Sequence, residues 1–247
     1  EKEIDRHFEK IHKEIDFLPS SFLEDGVNRA QSICRVETPD SYGSGFMLVT
    51  RDYIMTNNHV LPNRHVAEDS LARFDYDHDE IEFEVRLDPA RLFITNVELD
   101  YSIVALAEHS LPETIRPIEL LEKPAGVTRN ERVNIIQHPK GRRKEVSLHD
   151  NKVSYVYDKV IQYRADTEPG SSGSPVFNNQ WQLVALHHKG WSDDNGGAIN
   201  QGVRLTAIVD SLTADEDAEA NRFLKSIQET ADTTPPPPPD THRVSSG

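Results

Sequence analysis

Residues 43–61 read GSGFMLVTRDYIMTNNHVL. An apolar run at 46–49, a charged pair at Arg51 and Asp52, and a second apolar run at 53–55 make two short strand-like pieces joined by a turn. The second piece runs into the polar residues Asn57, Asn58 and His59. The same texture extends in both directions. SICRVE precedes it, and ARFDY, IEFEVRL, YSIVALA, RVNIIQH, EVSLHD, KVSYVYD, VIQYRAD, SPVFN, WQLVALHH and GVRLTAIV follow, with Gly, Asn, Asp or Pro between them. This succession of short runs over residues 30–212 predicts an all-β barrel or sandwich.

The flanks read differently. Within residues 1–29, Ile4, Phe8, Ile11 and Ile15 recur at helical spacing among charges and predict an amphipathic helix over 1–17. Residues 213–231 turn helical again, with Ala220, Phe223, Leu224 and Ile227 as the apolar stripe. In the tail, 232–247, a run of prolines reads as a semi-rigid polyproline spacer. That spacer points to additional domains beyond it, and Glu1 in place of Met points to a processed or excised chain.

The chain has 247 residues, and Lys+Arg 27 against Asp+Glu 42 leave a net charge of −15. Such an acidic chain offers no footprint for phosphate backbones or anionic lipid, so neither nucleic acid nor membrane is an expected partner. No apolar run approaches the roughly 18–20 residues that cross a bilayer, and no signal peptide opens the chain. Cys34 is the single cysteine. That fits the cytoplasm, with a disulfide-free secreted fold left open.

Residues 168–175 read EPGSSGSP. Two glycines around a serine allow a tight turn that presents main-chain N–H groups beside a hydroxyl. Serine is a weak nucleophile and needs a base, which in turn needs a group to orient it. His59 closes one strand-like run and Asp100 stands just ahead of another. The order is His, Asp, Ser, at intervals of 41 and 72 residues.

GSGFMLVTRDYIMTNNHVL, ELDYSIVAL and EPGSSGSPVFN together resemble the three catalytic blocks of trypsin-like serine peptidases. They are most similar to the bacterial disulfide-free branch that includes the glutamyl endopeptidases. The resemblance implies two six-stranded antiparallel β-barrels with short flanking helices and a site between them. It implies a serine endopeptidase acting on protein or peptide substrates with no metal or cofactor. Ser172 would be the nucleophile, His59 the general base and then acid, and Asp100 the group that orients His59. The N–H groups of Gly170 and Ser172 would form the oxyanion hole. Two departures stand out. Ser171 occupies the position of the zymogen aspartate, which argues against activation by N-terminal insertion, and the cystines of the animal enzymes are absent. A peptidase-shaped module that only binds peptide is the alternative reading.

The resemblance gives two answers for the specificity pocket. Asp166 lies where trypsin keeps its pocket aspartate and favours a basic substrate residue, the preferred expectation. Thr167 and His187 lie where glutamyl endopeptidases hold a substrate carboxylate. His187 and His188 are neighbours on one strand, so only one of them can line the pocket.

The remaining features have plainer readings. Asp75, Asp77 and Asp79 have alternate-acid spacing but lack the glycine and distal carboxylate of a calcium loop, and a hairpin tip explains them better. Residues 139–144 form a basic cluster, read as a solvated hairpin. Cys34 reads as a buried structural thiol.

Overall fold

The computed structural model describes residues 17–77, 83–120, 123–149, 151–192, 198–215 and 217–233. The expected helix over 1–17 lies almost wholly outside them, as do the polyproline run, Asp79 and Glu80.

The chain forms two curled antiparallel sheets in sequence. The first contains β1 (Ile33–Glu37), β2 (Tyr42–Leu48), β3 (Tyr53–Thr56), β4 (Leu71–Phe74), β5 (Phe83–Arg86), β6 (Phe93–Asn96) and β7 (Tyr101–Ala105), in the order β5-β4-β1-β2-β3-β7-β6. It curls until Leu87, after β5, bridges Leu106, after β7. The second contains β8 (Asn134–Gln137), β9 (Glu145–Ser147), β10 (Val153–Val156), β11 (Val160–Tyr163), β12 (Pro175–Phe177), β13 (Leu183–Ser192) and β14 (Ala198–Arg204), in the order β10-β11-β14-β13-β12-β8-β9. Arg132 and Lys152 close its far side.

Successive residues of a strand point to opposite faces, which explains why the central strands read as nearly unbroken apolar runs. Met47, Ile54 and Val104 fill the first barrel. Their neighbours Phe46, Leu48, Met55 and Ile103 point the other way, onto Leu186, Val203 and Phe177 of the second sheet. The seam between the barrels is therefore a core of its own. Val133, Ile135, Ile161, Tyr163 and Val176 fill the second barrel. Cys34 is fully buried on β1, and burial pushes its thiol up to about 12.

Each sheet carries seven strands where six were expected. β6 went unread because the strand is only four residues long and has no turn glycine beside it. GVRLTAIV is not one strand: β14 ends at Arg204, and α3 (Leu205–Ala214) begins at once. Its buried residues Leu205, Ile208, Val209 and Leu212 fall three and four apart, a helical period too brief to show inside an eight-residue window.

Two further helices cross the seam. α1 (Ser21–Ala30) precedes the first barrel but packs on the second: Phe22 lies 4.9 Å from the Trp181 ring, whose Nε1–H donates to Phe22 O. α4 (Ala218–Thr233) follows the second barrel but packs on the first. Phe223 meets Tyr53 edge-on at 5.4 Å, and Glu219 accepts from Arg64 and from the Phe93 N–H.

Candidate active site

His59 and Asp100 come from the ends of two adjacent strands, β3 and β7. Asp100 adopts φ 50°, a left-handed conformation that aspartate tolerates better than most residues. Hydrogen bonds from Asn57 and His59 hold it there. Asn57 Nδ2 donates to its carbonyl at 2.7 Å, the His59 main-chain N–H donates to Oδ1 at 3.0 Å, and His59 Nδ1 lies 2.8 Å from Oδ2. Behind them, Asn58 Nδ2 donates to Thr95 Oγ1, Thr95 meets Ser102 Oγ, and Ser102 donates to Leu61 O, tying the His59 loop to β6 and β7. Partial burial pushes the Asp100 carboxyl up. Hydrogen bonds from His188 and His59 outweigh that, and the carboxyl sits well below the usual carboxylate range.

Ser172 comes from the second barrel, in the loop before β12. One residue of the first barrel, the fully buried Ser44 on β2, stitches this loop across the seam. Its N–H donates to Ser172 O at 2.8 Å, its Oγ donates to Gly170 O and accepts the His138 N–H, and its carbonyl accepts from Thr56 Oγ1. Thr56 is three residues before His59, so one serine gathers both loops.

The turn itself is self-supporting. Ser171 N–H donates to Glu168 O and its Oγ accepts the Glu168 N–H, so no N-terminal ammonium is needed to fix residue 171. Gly170 has φ 97°, and a Cβ there would press on His138 O and Lys140 N at 2.8 and 2.9 Å. The N–H groups of Ser171, Gly173 and Ser174 are all taken by protein carbonyls. Among the described residues, those of Gly170 and Ser172 have no protein acceptor. Ser172 Oγ and His59 Nε2 are likewise without a hydrogen-bond partner among the described residues, an open geometry common in sites without substrate.

The family model of the trypsin-like peptidase domain matches residues 43–186. The chain belongs to this family. The uncharacterised protein y4fB of Sinorhizobium fredii is 34% identical over 212 residues, covering 75% of this chain and 32% of y4fB. A glutamyl endopeptidase of Staphylococcus aureus is 26% identical over 184 residues, covering 69% of this chain and 54% of that protein. The chain thus spans between a third and just over half of these relatives. Among solved structures, the serine endoprotease from Yersinia pestis matches with TM-score 0.60 at 18% identity, covering 86% of this chain and 69% of that one. The active form of the Rv3671c protease from M. tuberculosis matches with TM-score 0.60 at 15% identity, covering 83% and 93%. These likenesses show the shared fold.

The trypsin-like domain places the three pocket candidates differently from one another. Asp166 is exposed, and its carbonyl accepts from Gln137 Nε2. Thr167 Oγ1 donates to Asn200 Oδ1 at 2.7 Å, and Asn200 Nδ2 donates to Ala165 O. His187 is buried, and the hydroxyl of the buried Tyr163 meets its Nδ1 at 2.7 Å. Burial, reinforced by the neighbouring imidazoles of His188 and His59, pushes His187 down to about 3.

His138 is also fully buried and pushed down to about 3 by burial, against the opposing effect of its bond to Arg142 O. Both histidines therefore hold fewer protons folded than unfolded. Their neutral burial stabilises the fold above about pH 6.5, and that contribution is lost as pH falls toward 3. The melting temperature is expected to drop continuously across this window. A flat melting curve there, measured by calorimetry, contradicts the neutral burial of these rings.

The basic cluster is not a free hairpin. Lys140 and Arg142 both pair with Glu168, and Lys144 is buried beside Asp77. Glu168 and Asp77 are distant in sequence, which is why the cluster alone read as solvated. Its loop braces the turn that carries Ser172, since Lys140 N–H donates to Pro169 O. Among the described residues no three His, Cys, Asp or Glu side chains converge on a metal position, and no helix is long and apolar enough to cross a membrane.

Sequence reasoning missed Ser44, Ser102 and Asn200, gave Asn57 no role, and weighed His188 only for the pocket. Ser44, Asn57 and Ser102 are fully buried polar residues within or at the end of apolar runs. That position is itself a signal, because buried polar groups need partners.

Proposed function

We propose that the domain, taken as residues 30–212, is a serine endopeptidase working through His59, Asp100 and Ser172. The carrying observation is the His59 Nδ1–Asp100 bond, which points the proton-bearing side of the ring at the carboxylate and leaves Nε2 unpaired. In this reading His59 Nε2 takes the Ser172 proton as Oγ attacks the peptide carbonyl, and Asp100 stabilises the imidazolium. The unpaired N–H groups of Gly170 and Ser172 receive the oxyanion; one such donor supplies about 2.7–4 kcal/mol in acyl transfer. His59 then protonates the leaving amine, and water repeats the sequence to release the acyl group. A fluorophosphonate probe tests this directly: Ser172 should be captured covalently. A binding-only module leaves the probe unreacted.

We further propose that the pocket prefers a substrate carboxylate, which reverses the preference given by residue spacing. Asp166 faces solvent, so a basic side chain finds no buried counter-charge there. The Tyr163 hydroxyl lies 2.7 Å from His187 Nδ1; with the hydroxyl as donor, the ring proton sits on Nε2, which has no protein acceptor among the described residues. A positional-scanning library should show cleavage after Glu or Asp, with Tyr163→Phe losing about tenfold in kcat/KM through a misoriented tautomer. Cleavage after Arg or Lys that disappears in Asp166→Ala would restore the basic reading.

A further inference from the structure

The Asp100 carboxylate serves two histidines. His188 Nδ1 lies 3.3 Å from the same Oδ2 that His59 Nδ1 meets at 2.8 Å. The approach is built by the strand. Pairing of β13 with β14 slips between His187 and Lys189, so His188 is the extra residue of a β-bulge, a device that re-aims a side chain. The ring is well buried, at 11% side-chain exposure. Its other nitrogen, Nε2, lies 2.9 Å from Gln201 Oε1 on β14.

With oxygens at both nitrogens, a ring carrying two protons satisfies both contacts. A ring with one proton keeps Nδ1–H on Asp100 only if the Gln201 amide turns its NH2 toward Nε2. The site therefore has two self-consistent arrangements that differ by one proton from solvent and a turn of Gln201.

We propose that His188 is a positioning residue for His59: neutral, it fixes Asp100 in line with the catalytic ring, and protonated, it draws the carboxylate's charge away from that ring. The inference rests on the His59–Asp100–Ser172 reading. Asp100 and His59 face His188 from the first barrel, His187 stands beside it on β13, exposed Lys189 follows it, and β14 presents the neutral Gln201. A positive His188 beside Asp100 weakens the stabilisation of imidazolium at His59, so protonation of His188 slows the reaction and protonation of His59 stops it.

The test compares wild type, His188→Ala and His188→Asn. Asn keeps a donor near the position of Nδ1 but cannot titrate. His188→Ala should lose about tenfold in kcat with KM within about twofold, and His188→Asn should regain most of that loss. On the acid limb, kcat/KM should fall more steeply than tenfold per pH unit over part of the range in wild type, and no more than about tenfold in His188→Asn. Superimposable profiles for these two overturn the proposal. Imidazole NMR titration of Ser172→Ala protein separates its failure from that of the peptidase reading, because it needs no turnover. Replacing His188 by Asn should shift the His59 titration, even in a chain that hydrolyses nothing. An unshifted His59 overturns the inference regardless of activity.

Discussion

Ser172→Ala is expected to lower kcat/KM for peptide hydrolysis by about four to six orders of magnitude while leaving the fold intact. In the proposed mechanism neither neighbouring hydroxyl can replace that of Ser172: Ser171 is fully buried with its hydroxyl occupied by the Glu168 N–H, and Ser174 is fully buried. The fold is expected to survive because the contact that fixes residue 172 is its carbonyl, held by the Ser44 N–H. An alanine keeps that bond, and its stability should stay within about 0.5 kcal/mol of wild type. Residual rate above the uncatalysed reaction would come from the oxyanion donors, which the substitution does not touch. Steady-state assays and melting curves on the same preparation check both halves. Purified Ser172→Ala protein that hydrolyses peptides at the wild-type rate ends the mechanism.

The second large effect comes from one methyl group. Gly173 has φ 88°, and a Cβ there would overlap Ser44 O and Thr56 Oγ1. The conformation alone costs alanine about 1–2 kcal/mol. The overlap is worse, because neither obstacle can swing aside: one is main chain and the other is bonded to it. Gly173→Ala therefore has to push the nucleophile turn off Ser44. A loss of several kcal/mol in stability and at least about a thousandfold in kcat/KM is expected. Gly126→Ala is the matched control, since a Cβ there meets nothing within 4 Å, and it should be neutral or slightly stabilising. Equal melting temperatures and equal rates for the two variants contradict the packing described.

What could be read in advance follows from the range of each signal. The β character was legible because strand alternation is local, and His59, Asp100 and Ser172 stood out at the ends of runs in recognisable blocks. Ser44 was opaque because its importance depends on Gly170, 126 residues away. Alternation says that His187 and His188 face opposite ways, but not which of them meets Asp100. A bulge decides that, and its register belongs to the partner strand. Asp166 shows the same limit of range: its interval from Ser172 matches a pocket position in the family it resembles, whereas its exposure depends on the tertiary path of the loop.

The two crossing helices give the molecule a particular mechanics. α1 is fastened by Phe22 and Trp181 to the barrel it does not adjoin, and α4 by Phe223, Tyr53 and Glu219 to the other. A pull applied to the outer ends of α1 and α4 consequently reaches each barrel through a strap before it reaches a terminal strand. The load falls as shear on the seam between the half that carries His59 and the half that carries Ser172. Under such a load the register of the two halves is expected to give way before either sheet unravels.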